Sequence, residues 1–221
     1  MEDDDSVISP LIAIIAVAAT FILFLFVGAA LVVLFGYAVA MVFGELLLIV
    51  VPLGYMLCKR VDVRGYIGLE MKPKTILVGA ASGVFLLFFS LFISTVLVSV
   101  FGVSEAVEET NKLVVDMSSS LEGLLSVIVS LSLAGVCEEF IFRGFLQTAI
   151  NSRYSLGPAL LVSSLAFGLF HFDPQGVYTI SAFLMGLLLG YIYHRWHSYV
   201  VPAVAHATLN LVTLAIMLLI G

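Results

Sequence analysis

Three short stretches hold the residues of this chain that could do chemistry. Residues 138–143 read EEFIFR, residues 167–171 read FGLFH, and residues 206–210 read HATLN. Each sits inside a long apolar run, where one ionisable side chain costs about 2.5–3.5 kcal/mol on insertion scales. Glu138, Glu139 and Arg143 must therefore be paired or wetted. Glu139 and Arg143 are four apart, share a helix face and can form an ion pair. Glu138 lies about 100° round the helix from Glu139, and its own face offers no arginine. One carboxylate has a partner on its own helix; the other does not.

The second carboxylate needs partners from other helices. His206 and Asn210 are four apart and share a face, as do Phe167 and His171. A carboxylate, two imidazoles and an amide could converge inside a bundle. Desolvation disfavours the ionised form of a carboxylate, which suits such a group to general-base work near neutral pH. It could take a proton from water and deliver it to a leaving amine, while a histidine beside it orients the water. A second histidine and an asparagine could donate to a developing oxyanion, roughly 3–4 kcal/mol per donor in other hydrolases. Amide hydrolysis fits this inventory. Each residue alone has a blander reading. A lone histidine on an apolar helix is commonly a satisfied core residue, and a lone asparagine is interhelical glue. Three such features in successive apolar segments favour a functional polar site.

The elements that must position these groups are membrane helices. The chain has 221 residues, 62% hydrophobic and 11% charged, against about 25% charged in soluble domains. Mean hydropathy is +1.21. Apolar segments at 9–35, 37–57, 75–101, 121–142, 156–172, 177–194 and 199–220 predict an all-α polytopic membrane bundle of seven spans. Only Gly36 and Tyr37 separate the first two. Helices satisfy their own backbone in lipid, and the ten-residue alternation of an outer-membrane barrel is missing. The acidic start MEDDDSVISP lacks the basic region of a secretory signal, so the following run reads as a retained span. No linker divides the chain, which reads as one transmembrane domain over 1–221. Cys58 and Cys137 form no CxxC pair and read as small core residues. Gly79 and Gly83, and Gly186 and Gly190, are four apart and allow close helix packing.

Lysines and arginines set the expected orientation. Lys59, Arg60, Arg64, Lys72 and Lys74 place 58–74 in the cytoplasm, with Arg143, Arg153 and Arg195 returning there. Lys112 among Glu105, Glu108, Glu109 and Asp116 places 102–120 outside. The N-terminus is then cytoplasmic and the C-terminus external. Trp196, Tyr191, Tyr193 and Tyr199 form a plausible interfacial belt, with His194 and His197 among them. The net charge of −6 speaks against a nucleic-acid partner. The expected partners are membrane lipid and a peptide substrate.

Other chemistries share some of these residues. Glutamate and histidine can bind zinc, but no HExxH spacing is present and asparagine is a poor zinc ligand, so no metal and no cofactor is expected. Intramembrane Glu and His chains also mark transporters and proton relays; Glu45, in VFGELLL, suits that idea, although no inverted repeat accompanies it. A non-catalytic scaffold or immunity protein would keep the fold without the chemistry. Cys137 points about 100° from Glu138 and has no histidine on its helix, which disfavours a cysteine nucleophile.

EEFIFRG, FGLFH and HATLN, in that order, resemble the CPBP family of CAAX proteases and bacteriocin-processing enzymes. The resemblance covers about residues 120–215, the expected catalytic core. It implies a glutamate-dependent intramembrane endopeptidase without cofactor, often with eight spans. By that resemblance Glu138 is the catalytic glutamate, with His206 helping it activate water. His171 and Asn210 are the oxyanion-stabilising pair, and Glu139, Arg143 and Phe167 are supporting. The substrate would be a peptide or a lipidated C-terminal tail, of the prenylated CAAX type among others. The site would open to the cytoplasmic side, and the compact chain suits a prokaryotic cell membrane. Hydropathy alone sets His171 near the outer end of its span and Glu138 and His206 towards the cytoplasmic side. Their meeting requires displaced boundaries or a tilted or broken helix.

Overall fold

Long runs of Ile, Leu, Val and Phe leave the backbone no partner in lipid but itself, so the segments close into helices. The computed structural model describes residues 8–220; Met1–Val7 and Gly221 lie outside the described residues, and with them most of the acidic start. It contains α1 (Pro10–Phe35), α2 (Tyr37–Cys58), a short α3 (Val63–Ile67), α4 (Pro73–Phe101), α5 (Glu105–Met117) and α6 (Leu121–Glu139). The last runs on through a π-helical segment (Phe140–Gln147) into α7 (Thr148–Asn151). Then come α8 (Leu156–Phe170), α9 (Val177–Trp196) and α10 (Val200–Ile220). The chain is an integral, multi-pass membrane protein of all-α build.

Among the described residues six helices are long and apolar enough to cross a membrane: α1, α2, α4, α6 with its continuation to Asn151, α9 and α10. The seventh expected span is α8, with only 15 residues, about 22 Å of helix against a hydrocarbon core of about 30 Å. Gly36 separates α1 from α2 as expected. Its φ of 80° is open to glycine and strained for other residues, and its N–H closes α1 on the Val32 carbonyl at 3.0 Å. The acidic stretch expected as a loop is largely α5. Ser104 Oγ caps it by accepting from the Val107 N–H, with Glu105 and Glu108 in the first turn, where the helix dipole favours anions.

The small-residue pairs pack as expected. A Cβ on Gly83 would stand 2.5 Å from the Ala205 carbonyl oxygen, so α4 and α10 meet backbone to backbone. Gly186 does the same for α9 against Ser164 of α8. The continuous helix from Leu121 to Asn151 is the axis of the bundle, and all eight residues of its π segment are buried. Outward faces carry bare apolar side chains such as Phe26, Val33, Phe88 and Leu219, as a lipid-facing surface requires. At one end of the bundle the basic 58–74 segment meets the last turn of α9. The Tyr199 N–H donates to the Gly68 carbonyl at 3.2 Å, and Lys74 Nζ lies 5.7 Å from the Trp196 ring. At the other end Ser104 Oγ donates to Asp173 Oδ1 at 2.7 Å. Both cysteines are free; Cys137 is buried, whereas Cys58, expected in the core, is exposed at the end of α2.

Candidate active site

The short α8 removes the conflict over depth. His171 caps its C-terminus, about 22 Å from its start, and so sits inside the bundle. There the three motifs converge. The His171 Nε2 lies 3.7 Å from Glu138 Oε2, with the two side chains 17% and 12% exposed. His171 Nδ1 is 2.8 Å from the Phe167 carbonyl. A carbonyl only accepts, so Nδ1 carries the proton, and it is Nε2 that faces Glu138. At 3.7 Å the two atoms are too far apart for a direct hydrogen bond.

The second imidazole goes elsewhere. His206 Nδ1 lies 3.0 Å from Glu139 Oε1, and the same oxygen accepts from Arg143 Nη1 at 2.9 Å. Glu139 and Arg143 have no exposed surface. Arg143 Nη2 donates to the Gly186 carbonyl at 3.2 Å, and its guanidinium lies 4.4 Å from the Phe167 ring centroid. Thus the i,i+4 pair forms as the spacing predicts. The expected partnership of Glu138 with His206 does not: Glu138 faces His171, and His206 belongs to Glu139. The reason is angular. Adjacent residues on a helix point about 100° apart, so the two glutamates address different neighbours.

Phe167 lies between the imidazoles, with ring centroids 4.6 Å from His171 and 5.8 Å from His206. Asn210, one turn beyond His206, donates from Nδ2 to the Leu131 carbonyl at 3.4 Å and keeps its other N–H for a ligand. A cavity of about 260 Å³ is lined by Phe167, His171, His206 and Asn210, with Ser181 and Tyr178 of α9. Glu138 does not line this cavity itself and is tied to it through His171, 3.7 Å away. The cavity reaches Thr110 and Asn111 of α5, at the end of the bundle away from the basic 58–74 segment. By the lysine and arginine count that is the external end, whereas the sequence reading opens the site to the cytoplasm.

Several polar residues of the site's support escape a motif reading. Gln147 Nε2 donates to the Gly190 carbonyl at 2.9 Å, and Ser163 Oγ donates to Gln147 Oε1 at 3.3 Å. Tyr199 Oη donates to the Val136 carbonyl at 2.6 Å. Gln147, four residues after Arg143, was the available signal. The π segment that carries Arg143 and Gln147 has no sequence signature, although such segments recur at functional sites.

Comparison with known proteins finds a similar family and a similar relative. Residues 120–212 match the model of the type II CAAX prenyl endopeptidase Rce1-like family. The chain is also similar to the "Putative membrane peptidase YdiL" of Bacillus subtilis (strain 168), 30% identical over 132 residues, which are 59% of this chain and 52% of the relative. The chain thus spans about half the length of the curated relative it matches. No solved structure matches it. The matched stretch begins just before α6, ends within α10 and contains every residue of the converging site; over it the chain is similar to the Rce1-like family of CAAX endopeptidases.

Proposed function

We propose that the protein is an intramembrane glutamic endopeptidase that hydrolyses peptide bonds of membrane-associated substrates. The observation that carries this reading is the approach of Glu138 Oε2 to His171 Nε2, 3.7 Å, beside the cavity that His171 lines. A water admitted to the site with substrate donates a hydrogen to the Glu138 carboxylate. As it attacks a peptide carbonyl, Glu138 takes its proton. Negative charge then builds on the carbonyl oxygen. Asn210 Nδ2 and His206 Nε2, held by the Glu139–Arg143 pair, face that oxygen across the cavity and stabilise it. When the C–N bond breaks, Glu138 returns the proton to the leaving amine. Water and substrate are the only reactants, and the general base is restored.

The family match and the relative's name as a membrane peptidase support a peptide or a lipidated protein tail as substrate. Prenylated CAAX-type tails are the first class to test, and a prokaryotic cell membrane is the expected setting. The test uses purified protein in detergent with quenched prenylated CAAX-type peptides. Wild type and Glu138→Ala are compared with and without a chelator. Cleavage by wild type alone, unchanged by chelator, is the expected result. Activity that a chelator abolishes would establish a metalloprotease instead. Equal cleavage by both proteins would remove Glu138 from the mechanism.

A further inference from the structure

A second cavity lies at the other end of the bundle from the one that His171 and Asn210 line. It holds about 250 Å³, and three elements wall it. α3 contributes Tyr66, the end of the long axial helix contributes Thr148 and Asn151, and the end of α9 contributes Tyr193, His194 and His197. Backbone geometry fixes the junction of α3 with α9. His197 and Gly68 both take left-handed backbone, at φ 47° and 66°. A Cβ on Gly68 would stand 2.6 Å from the His197 carbonyl oxygen, so the two segments touch and only glycine fits there. Two of the lining hydroxyls are committed. Thr148 Oγ1 donates to the Arg143 carbonyl at 3.1 Å and lies 2.8 Å from Tyr193 Oη, which donates to the Ile67 carbonyl at 3.3 Å. The His194 and His197 rings stand side by side, centroids 5.5 Å apart. Each neutral imidazole has one N–H to give, and the Asn151 amide has two. Among the described residues, the hydrogen bonds of the lining side chains engage Gln147, Thr148 and Tyr193 and leave the donors of Asn151, His194 and His197 to a ligand.

The lining says which ligand. Among the described residues no carboxylate or thiol lines the cavity, and two imidazoles alone fall short of the four ligands of a structural metal site. A set of free donors suits an anion. The charge around it agrees. The described residues at this end carry seven lysines and arginines against two carboxylates, Asp62 and Glu70, and Glu70 already holds Lys72 at 2.6 Å. Exposed Tyr154, Tyr191 and Trp196 lie within one turn of lining residues, as aromatic side chains do at a membrane–water interface. We propose that this cavity binds the phosphate of an anionic phospholipid headgroup, in the leaflet on the side of the basic 58–74 segment. His194, His197 and Asn151 donate to the phosphate oxygens, and the basic connections attract the charge. Basic cavities between membrane helices take such headgroups. The bound phosphate ties α3 and the end of α9 to the helix that carries Arg143. This site does not depend on the peptidase reading.

The test uses the full chain, purified in detergent and stripped of lipid. It is titrated with phosphatidylglycerol, with phosphatidylcholine or with inorganic phosphate. Retained lipid is read by native mass spectrometry and stabilisation by the unfolding temperature. Phosphatidylglycerol should stay bound and raise the unfolding temperature. Phosphatidylcholine, whose headgroup carries a cation of its own, should do neither at the same concentration. His194→Leu should weaken phosphatidylglycerol binding about tenfold, the worth of one hydrogen bond to a charged group. His197→Gly, which suits the left-handed backbone, should weaken it as much. Each variant should unfold near the wild-type temperature when no lipid is present. Lys112→Gln, at the opposite end of the bundle, should bind like wild type. Stabilisation by inorganic phosphate, lost in His194→Leu and with no lipid retained, would keep the phosphate site and make its source soluble. Equal retention of the two lipids by wild type would overturn the proposal. So would unchanged phosphatidylglycerol binding in both histidine variants, or an equal loss in Lys112→Gln, which would mark overall charge in place of a site.

Discussion

His206 Nδ1 lies 3.0 Å from Glu139 Oε1, so the second glutamate of the doublet, and not the first, holds this histidine. Adjacent carboxylates thereby take different work. Glu139 is fully buried between a guanidinium and an imidazole and is committed to structure. Glu138 is partly exposed and meets His171 at 3.7 Å, with no arginine committed to it.

That division predicts unlike losses. Glu138→Gln keeps the fold and substrate binding but lowers kcat by about 10²–10⁴, the range for loss of a general base. Asn210→Ala lowers kcat by about 10²–10³, as expected for one oxyanion donor. Initial rates on a quenched peptide, beside an unchanged unfolding temperature for each variant, check both. A rise in KM with kcat untouched would assign either residue to binding alone.

Arg143 makes a different prediction. Its removal leaves Glu139 as a buried charge with one partner fewer, a loss of about 3–5 kcal/mol for broken buried pairs. Arg143→Leu should therefore unfold at a markedly lower temperature in detergent. Arg143→Lys should be only a partial rescue, because one ammonium cannot reach Glu139 and Gly186 together while lying against Phe167. The double variant Glu139→Gln with Arg143→Leu should be more stable than Arg143→Leu. Additive losses in the pair would show that the two side chains are not coupled.

Much of the bundle was legible in the sequence, for physical reasons. Insertion into lipid demands long apolar runs, and these announce helices with few alternatives. The i,i+4 spacing of Glu139 and Arg143 announced their bond, because helix geometry alone brings them together. The partnership of Glu138 was not legible, since it depends on which helix lies at a given angle beside α6. The depth of His171 hung on the 15-residue length of α8, which hydropathy blurred into a full span. The π segment and the commitment of Gln147 to α9 are products of packing and leave no periodic trace.

The cavity's direction yields a prediction about sidedness. Thr110 lines it on α5 and is exposed, whereas the exposed Cys58 sits at the opposite end of the bundle. Seven of the chain's nine lysines and arginines lie in or beside the connections at the Cys58 end, which the charge rule assigns to the cytoplasm. In intact cells, a membrane-impermeant maleimide should label Thr110→Cys in a Cys58→Ser background. It should not label Cys58 of the wild type until the cells are opened. The reverse pattern would place the cavity mouth in the cytoplasm.

Asp173 sets a limit at low pH. It lies in the connection between α8 and α9, two residues after His171. Burial acts to raise its carboxyl, but hydrogen bonds from Ser104 Oγ and the backbone N–H groups of Tyr178, Gln175 and Thr179 outweigh burial and hold it below the usual carboxylate range. A carboxyl lowered by folding contributes stability above its unfolded value, about 3.9, and that contribution is lost as pH falls through the folded value. The clasp between Ser104 and Asp173 should therefore hold at neutral pH and loosen only below about pH 4. Asp173→Asn keeps an acceptor for Ser104 but has no carboxyl to titrate. Its unfolding temperature should lie below wild type at pH 7 and converge with it as pH falls below the folded value. A constant difference between the two proteins across that range would show that the Asp173 charge contributes nothing to the clasp.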